Sequence, residues 1–226
     1  MHIFFMMMFI NLSFSNNLKM PNVEVPKQTW RDVYKTNLEI KNKIQRLFKK
    51  KQYKKCINLI DFYFEDRDGR KSYKDLLYKR SYSYLKLKNY TQSLFYFNDL
   101  VQRFPKFRDA WYNRASLLKS MKKPNEALES YDKALEVNNK IWWIHYDRAI
   151  LLILMKKDLM AMIALKRVLF LKANSAWTLF ELGNISYRQK KYVNALNYYL
   201  KAKKIKSKIS GLNTRISFCK KKILQE

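Results

Sequence analysis

Five lysines, Lys51, Lys88, Lys122, Lys156 and Lys190, recur along the chain, 37 residues apart once and 34 apart thereafter. Lys123, Lys157 and Lys191 stand beside three of them. Positions that repeat in this way line up when the repeats stack, and a stacked row of lysines is a basic edge. Its chemistry is attraction of polyanions, whether nucleic acid, an anionic membrane surface or an acidic polymer. The whole chain leans the same way, with 47 Lys and Arg against 18 Asp and Glu and a formal net charge of +29. The helix dipole and solubility also favour lysine where a helix ends in a turn, with no ligand involved. Other chemistry has little to work with. The only histidines are His2 and His145, and the only cysteines are Cys56 and Cys219. A structural zinc needs about four N or S ligands close together, which this inventory does not supply. No nucleophile–His–acid spacing, glycine-rich phosphate loop or carboxylate pair stands out. The sequence therefore predicts no catalytic residue, no metal site and no cofactor. His145, behind Trp142-Trp143-Ile144, reads as an imidazole packed on a helix.

The elements that carry these residues are set by the same period. Ala127, Ala161 and Ala195 are 34 apart; twelve positions earlier stand Ala115, Ala149 and Gly183, and seven later Ala134, Val168 and Ala202. Between them runs a large column, Tyr131, Leu165 and Tyr199. Small residues opposite large ones at fixed offsets let two helices approach closely and interdigitate, and a fixed period of this length means stacked units. Apolar positions recur at three and four, as in Trp111, Ala115 and Leu118, and only three glycines and four prolines interrupt 226 residues. The spacing predicts helices and no strands.

These columns resemble the tetratricopeptide repeat, a family of helix-turn-helix units. The best unit, 108–141, places Trp111, Ala115, Leu118, Ala127, Tyr131 and Ala134 in the pattern's slots, and 74–107 supplies Leu77, Ser81, Tyr84, Ser93, Phe97 and Pro105. Units 142–175 and 176–209 follow, and a weaker one, 37–73, precedes them with Cys56 in the alanine slot and about three extra residues near Gly69. Arg80, Arg114 and Arg148 occupy a slot that is usually apolar, and Asn139 and Ala173 replace the proline. A long arginine stem can cover apolar surface while its head reaches a carboxylate. The resemblance implies an all-α, right-handed α-solenoid of about five repeats over 29–209. Leu212, Ile216, Cys219 and Ile223 give 210–226 one apolar side, that of a C-terminal capping helix. Cys56 and Cys219, at opposite ends of such an array, are not expected to form a disulfide.

Repeats of this family present the inner face of each first helix as a groove for a peptide or a partner's helix. On this chain the resemblance places there Tyr78 and Tyr82, then Asp109, Tyr112 and Asn113, then Trp143, Tyr146 and Asp147, then Trp177, Phe180, Glu181 and Asn184. Aromatic residues with polar tips dominate binding hot spots. The family's carboxylate clamp for chaperone tails does not map: Asn113 suits its central position, but Tyr78 with Tyr82 and Trp143 with Asp147 stand where basic pairs belong. The expected function is a non-enzymatic scaffold that binds a protein or peptide segment of unknown identity in an aromatic, acid-punctuated groove. The alternative is a polyanion-binding array using the lysine edge on an anionic surface or, ranked behind that, nucleic acid.

Residues 1–15 obey other rules. The run from Ile3 to Ile10 is apolar, no charge occurs before Lys19, and Ser13-Phe14-Ser15 is a small-x-small pattern. It reads as a cleaved secretory signal, followed by a linker over 16–28, which places the mature protein in a periplasm or outside the cell. A membrane anchor or a cytoplasmic protein is the alternative.

Overall fold

The computed structural model describes residues 30–65 and 73–225; the apolar leader, the linker and the extra residues near Gly69 lie outside them. The described chain is helical and contains no strand. Eleven helices follow one another: α1 Trp30–Lys49, α2 Tyr53–Glu65, α3 Lys74–Lys86, α4 Tyr90–Arg103, α5 Arg108–Ser120, α6 Pro124–Val137, α7 Trp142–Leu154, α8 Asp158–Leu171, α9 Ala176–Arg188, α10 Tyr192–Ile205 and α11 Leu212–Ile223. No described helix is long and apolar enough to cross a membrane, and no described His, Cys, Asp or Glu group is placed to hold a metal.

The turns inside the helix pairs share one backbone solution. After α5 the N–H of Lys122 donates to the Lys119 carbonyl at 3.1 Å and that of Lys123 to the Leu118 carbonyl at 2.9 Å, with Lys122 left-handed at φ 59°. This crossed pair satisfies carbonyls that the helix end leaves orphaned. Lys51, Lys88, Lys156 and Lys190 adopt the same conformation, at φ 57°, 60°, 58° and 59°. The lysine column is thus the column of left-handed residues that stop the first helix of each pair. All five side chains are exposed.

The chain divides into two compact units, residues 1–89 and 90–226. In the first, α1, α2 and α3 enclose Ile44, Cys56, Ile60, Tyr63 and Leu76, and Phe48, Leu59 and Tyr73 close the edges. The Cys56 thiol lies 3.9 Å from the Ile44 carbonyl, and burial pushes its pKa up.

The second unit repeats one arrangement three times. Ala115, Ala127, Tyr131 and Ala134 of α5 and α6 are fully buried, and Ile144 and Leu151 of α7 complete their cluster. One period on, Ala149, Ala161 and Leu165 of α7 and α8 receive Leu182 and Ile185 of α9. Each pair therefore finishes its core with the first helix of the next. After α10 no further pair follows, and Leu212, Ile216 and Cys219 of α11 fill the position against Ala195, Tyr199 and Ala202. At Gly183 the crossing leaves no room for a side chain: a Cβ there would lie 2.5 Å from the Tyr199 ring.

The departures from the repeat pattern have structural work. The Arg148 guanidinium donates to Asp132, and Arg114 to Asn98 at 2.7 Å, each reaching the second helix of the preceding pair 16 residues back. Arg80 meets Asp61 at 2.7 Å over an offset of 19, the same link lengthened by the three extra residues between α2 and α3. Where α9 has the buried Leu182 in this slot, the partner position on α8 is Lys166. Arginine and partner are lost together. Similarly, Trp111 Nε1 donates to the Pro105 carbonyl at 2.8 Å, and His145 Nε2 lies 2.9 Å from the Asn139 carbonyl, both six residues back. The carbonyl accepts whether or not proline supplies it, and His145 stands in for tryptophan as the pin of the inter-repeat turn.

Candidate functional site

In the second unit the first helices α5, α7 and α9 present a half-exposed face built from residues three and four apart, as a helix surface requires. On α5 it carries Asp109, Tyr112, Asn113 and Ser116; on α7 Trp143, Tyr146 and Asp147; on α9 Trp177, Phe180, Glu181 and Asn184. Their opposite sides supply the buried Ala115 and Leu118, Ala149 and Leu152, and Leu182 and Ile185.

Several of these side chains meet between helices. The Tyr112 hydroxyl donates to Asp147 Oδ2 at 2.7 Å, bridging α5 to α7. Burial, then the bond to Asp147, pushes the Tyr112 phenol well above its ordinary range. Tyr146 is pushed up to about 12, first by burial and then by the fields of Glu181 and Asp147. A neutral phenol thus sits in the field of two carboxylates, one on its own helix and one on α9. On α9, Asn184 donates to Glu181 Oε2 at 3.2 Å and accepts from the Tyr199 hydroxyl at 2.8 Å. Trp177 and Phe180 meet edge to face at 6.2 Å, and Phe180 leans on Tyr199 at 5.7 Å. Trp143 and Trp177 remain 41% and 45% exposed, which leaves large indole area for a partner.

Other expected members are already engaged. Asp109 pairs with Arg108 at 2.6 Å, and the Asn113 amide donates to the Asp109 carbonyl at 2.7 Å. Tyr78 and Tyr82 belong to the first unit, where they stack at 5.8 Å and Tyr82 also meets Phe48 at 5.6 Å, with Lys86 over its ring. Two contributors were missed by the repeat pattern. Tyr199 stands in the apolar column of the sequence, yet its hydroxyl reaches Asn184; Tyr131 in the same column lies 3.4 Å from Ser116. The hydroxyl that distinguishes both from Leu165 was the available signal. Lys206 lies over the Trp177 ring at 5.4 Å, so that indole face already receives a cation.

A family model described as tetratricopeptide repeat matches residues 109–140, spanning α5 and α6, and a second of the same description matches 75–106, spanning α3 and α4. The chain is a tetratricopeptide-repeat protein. Solved structures agree with its fold. The array is similar to YrrB, described as a tetratricopeptide-repeat protein with an unusual peptide-binding site, at 16% identity and TM-score 0.68, over 86% of this chain and 98% of that one. It is similar to MamA from Desulfovibrio magneticus RS-1 at 14% identity and TM-score 0.66, over 74% and 93%. A tetratricopeptide repeat protein from Parabacteroides merdae ATCC 43184 gives 14% identity and TM-score 0.71, over 82% and 72%. No curated protein matches in sequence. Tetratricopeptide repeats bind protein or peptide partners, and the array is an interaction module of that kind.

Proposed function

We propose that this array is a non-enzymatic scaffold, and that the face of α5, α7 and α9 holds a segment of a partner protein bearing Lys or Arg. One observation carries the reading. In a chain with 47 Lys and Arg and 18 Asp and Glu, no salt bridge among the described residues involves Asp147 or Glu181, although Asp61, Asp132 and Asp158 each have an arginine. Both carboxylates act on Tyr146, and each stands four residues after an exposed Trp of its own helix, Trp143 and Trp177, surroundings that favour a desolvated cation. The peptide-binding site named for YrrB belongs to that protein and lends general support.

The test is binding of labelled peptides, acidic and basic, each with and without aromatic residues. Basic aromatic peptides should bind, and Tyr146→Ala should weaken them by about 2 kcal/mol or more. Changing Lys122, Lys156 and Lys190 together to Gln should leave binding intact at physiological salt. A triple variant that loses its ligand while Tyr146→Ala keeps it would favour polyanion binding on the lysine edge, which counterion release would mark by a steep salt dependence. We further propose export by a cleaved leader. N-terminal sequencing of protein from its native cells should begin near Asn16, and a retained Met1 would oppose it.

A further inference from the structure

Helix α8 is apolar on two sides. Ala161, Ala164, Leu165 and Val168 are buried against α7 and α9, while Leu159, Ile163 and Phe170, on the opposite side by helical register, are 73%, 70% and 77% exposed. The same register on α10 leaves Val193 65% exposed, with Asn197 and Lys204 at the places of Ile163 and Phe170, and Leu200, at the place of Lys166, is also in solvent. The two helices are neighbours: Leu169 of α8 packs into the cluster of Ala195 and Tyr199, and Tyr198 of α10 into that of Ala164 and Leu165. This face is not a requirement of the repeat, because α6 places Asn125, Glu129 and Glu136 at the corresponding positions. Exposed apolar groups at this density mark an interaction surface.

Charge identifies what covers it. Cations interleave with the stripe: Lys166 falls within it on α8, one turn from Ile163 and Phe170, with Arg167 over the Phe170 ring at 4.9 Å, and Lys204 takes the register of Phe170 on α10, with Lys201 at its edge. The only acid on α8, Asp158, is held by Arg188 at 2.6 Å, and from residue 182 to residue 225 the chain contains no Asp or Glu. A second copy would bring like charges together, and an uncharged apolar segment would leave the cations unpaired. We propose that the outward faces of α8 and α10 dock this protein onto an anionic bilayer surface. The apolar side chains enter the headgroup–acyl boundary, and the lysines interleaved with them extend their long stems to the anionic headgroups. At 14 residues, α8 is too short to span the roughly 20-residue core, so it lies in the plane of the surface. This surface is separate from the proposed groove on α5, α7 and α9.

The full chain should be sedimented with vesicles of phosphatidylcholine containing phosphatidylglycerol, and with vesicles of phosphatidylcholine alone. Binding is expected to the first and not the second. The double variant Ile163→Gln, Phe170→Gln should lower partition about tenfold or more, whereas Ile163→Leu, Phe170→Trp should retain it. Both pairs point into solvent, so thermal melts should match the parent. Lys201→Gln with Lys204→Gln should also weaken binding, and Tyr146→Ala should not. Unchanged binding by the Gln double variant overturns the proposal in favour of electrostatic attraction alone, and equal binding to phosphatidylcholine removes the anionic requirement and overturns it too. Self-association in sedimentation velocity, abolished by the same variant and without vesicle binding, would assign the face to a second copy.

Discussion

Lys122 shows how a single side chain can be conspicuous for one reason and placed for another. Its position in the five-fold lysine column was legible as a charge. Its left-handed backbone, at φ 59°, was not, because sequences advertise that conformation with Gly or Asn, and all five positions here carry Lys. A side chain in this region crowds its own backbone by about 1 to 2 kcal/mol. Lys122→Gly and Lys156→Gly should therefore each raise stability by roughly 0.5 to 1 kcal/mol, the gain of relief less the greater freedom of glycine when unfolded. Urea midpoints measure it, and a loss would mean that the lysine stems support the turn. The groove residues were legible to the same limited degree. The pattern put Tyr112 and Asp147 on one lining, but their hydrogen bond and the diversion of Asp109 to Arg108 depend on rotamers that a period does not encode.

Helix pairs were the most readable part of the sequence, since small and large columns repeat only when packing enforces them. The crossing of α9 and α10 shows how closely. Gly183 faces Tyr199, whose hydroxyl is drawn to Asn184 at 2.8 Å; in the equivalent crossing Ala115 faces Tyr131, whose hydroxyl stands 3.4 Å from Ser116. The stronger bond holds the Tyr199 ring where a Cβ would fall at 2.5 Å. Gly183→Ala should destabilise by about 1 to 2 kcal/mol, overpacking outweighing the gain of about 1 kcal/mol in helix propensity. Adding Tyr199→Leu, which copies the Ala149–Leu165 crossing, should recover much of the loss in thermal melts. By contrast, the outward stripe of α8 was illegible. The 34-residue columns mark Ala161, Leu165 and Val168 as the packed side, but Leu159, Ile163 and Phe170 opposite them are also apolar at helical spacing, and the period does not say whether that second side is covered.

Across the second unit, four tyrosines share one electrostatic condition. Burial raises Tyr131 and Tyr146 to about 12 and also lifts Tyr112 and Tyr199. A phenol in the unfolded chain ionises near pH 10. The folded state thus keeps protons that the unfolded state releases, so this stabilisation is complete below pH 10 and is lost as pH rises toward 12. Lysines shed charge over the same range, which relieves self-repulsion and acts in the opposite sense. Urea midpoints should nevertheless fall between pH 10 and 12, and tyrosinate absorbance should show a late group that ionises as the fold is lost. A single early tyrosine titration with unchanged stability would contradict this.

The arginine links have a consequence for how such an array can change its length. Arg114 and Arg148 reach back 16 residues, and Arg80 reaches the equivalent Asp61 across 19. Registration at these three junctions is thus fixed by side chains on the helices rather than by the connector between them. A connector can gain residues, as it has between α2 and α3, while the helices it joins keep their partner positions. Insertions and deletions are therefore tolerated between pairs, where each alters only a loop, and excluded from the left-handed lysine turns, where one residue more would undo the crossed hydrogen bonds that end the first helix.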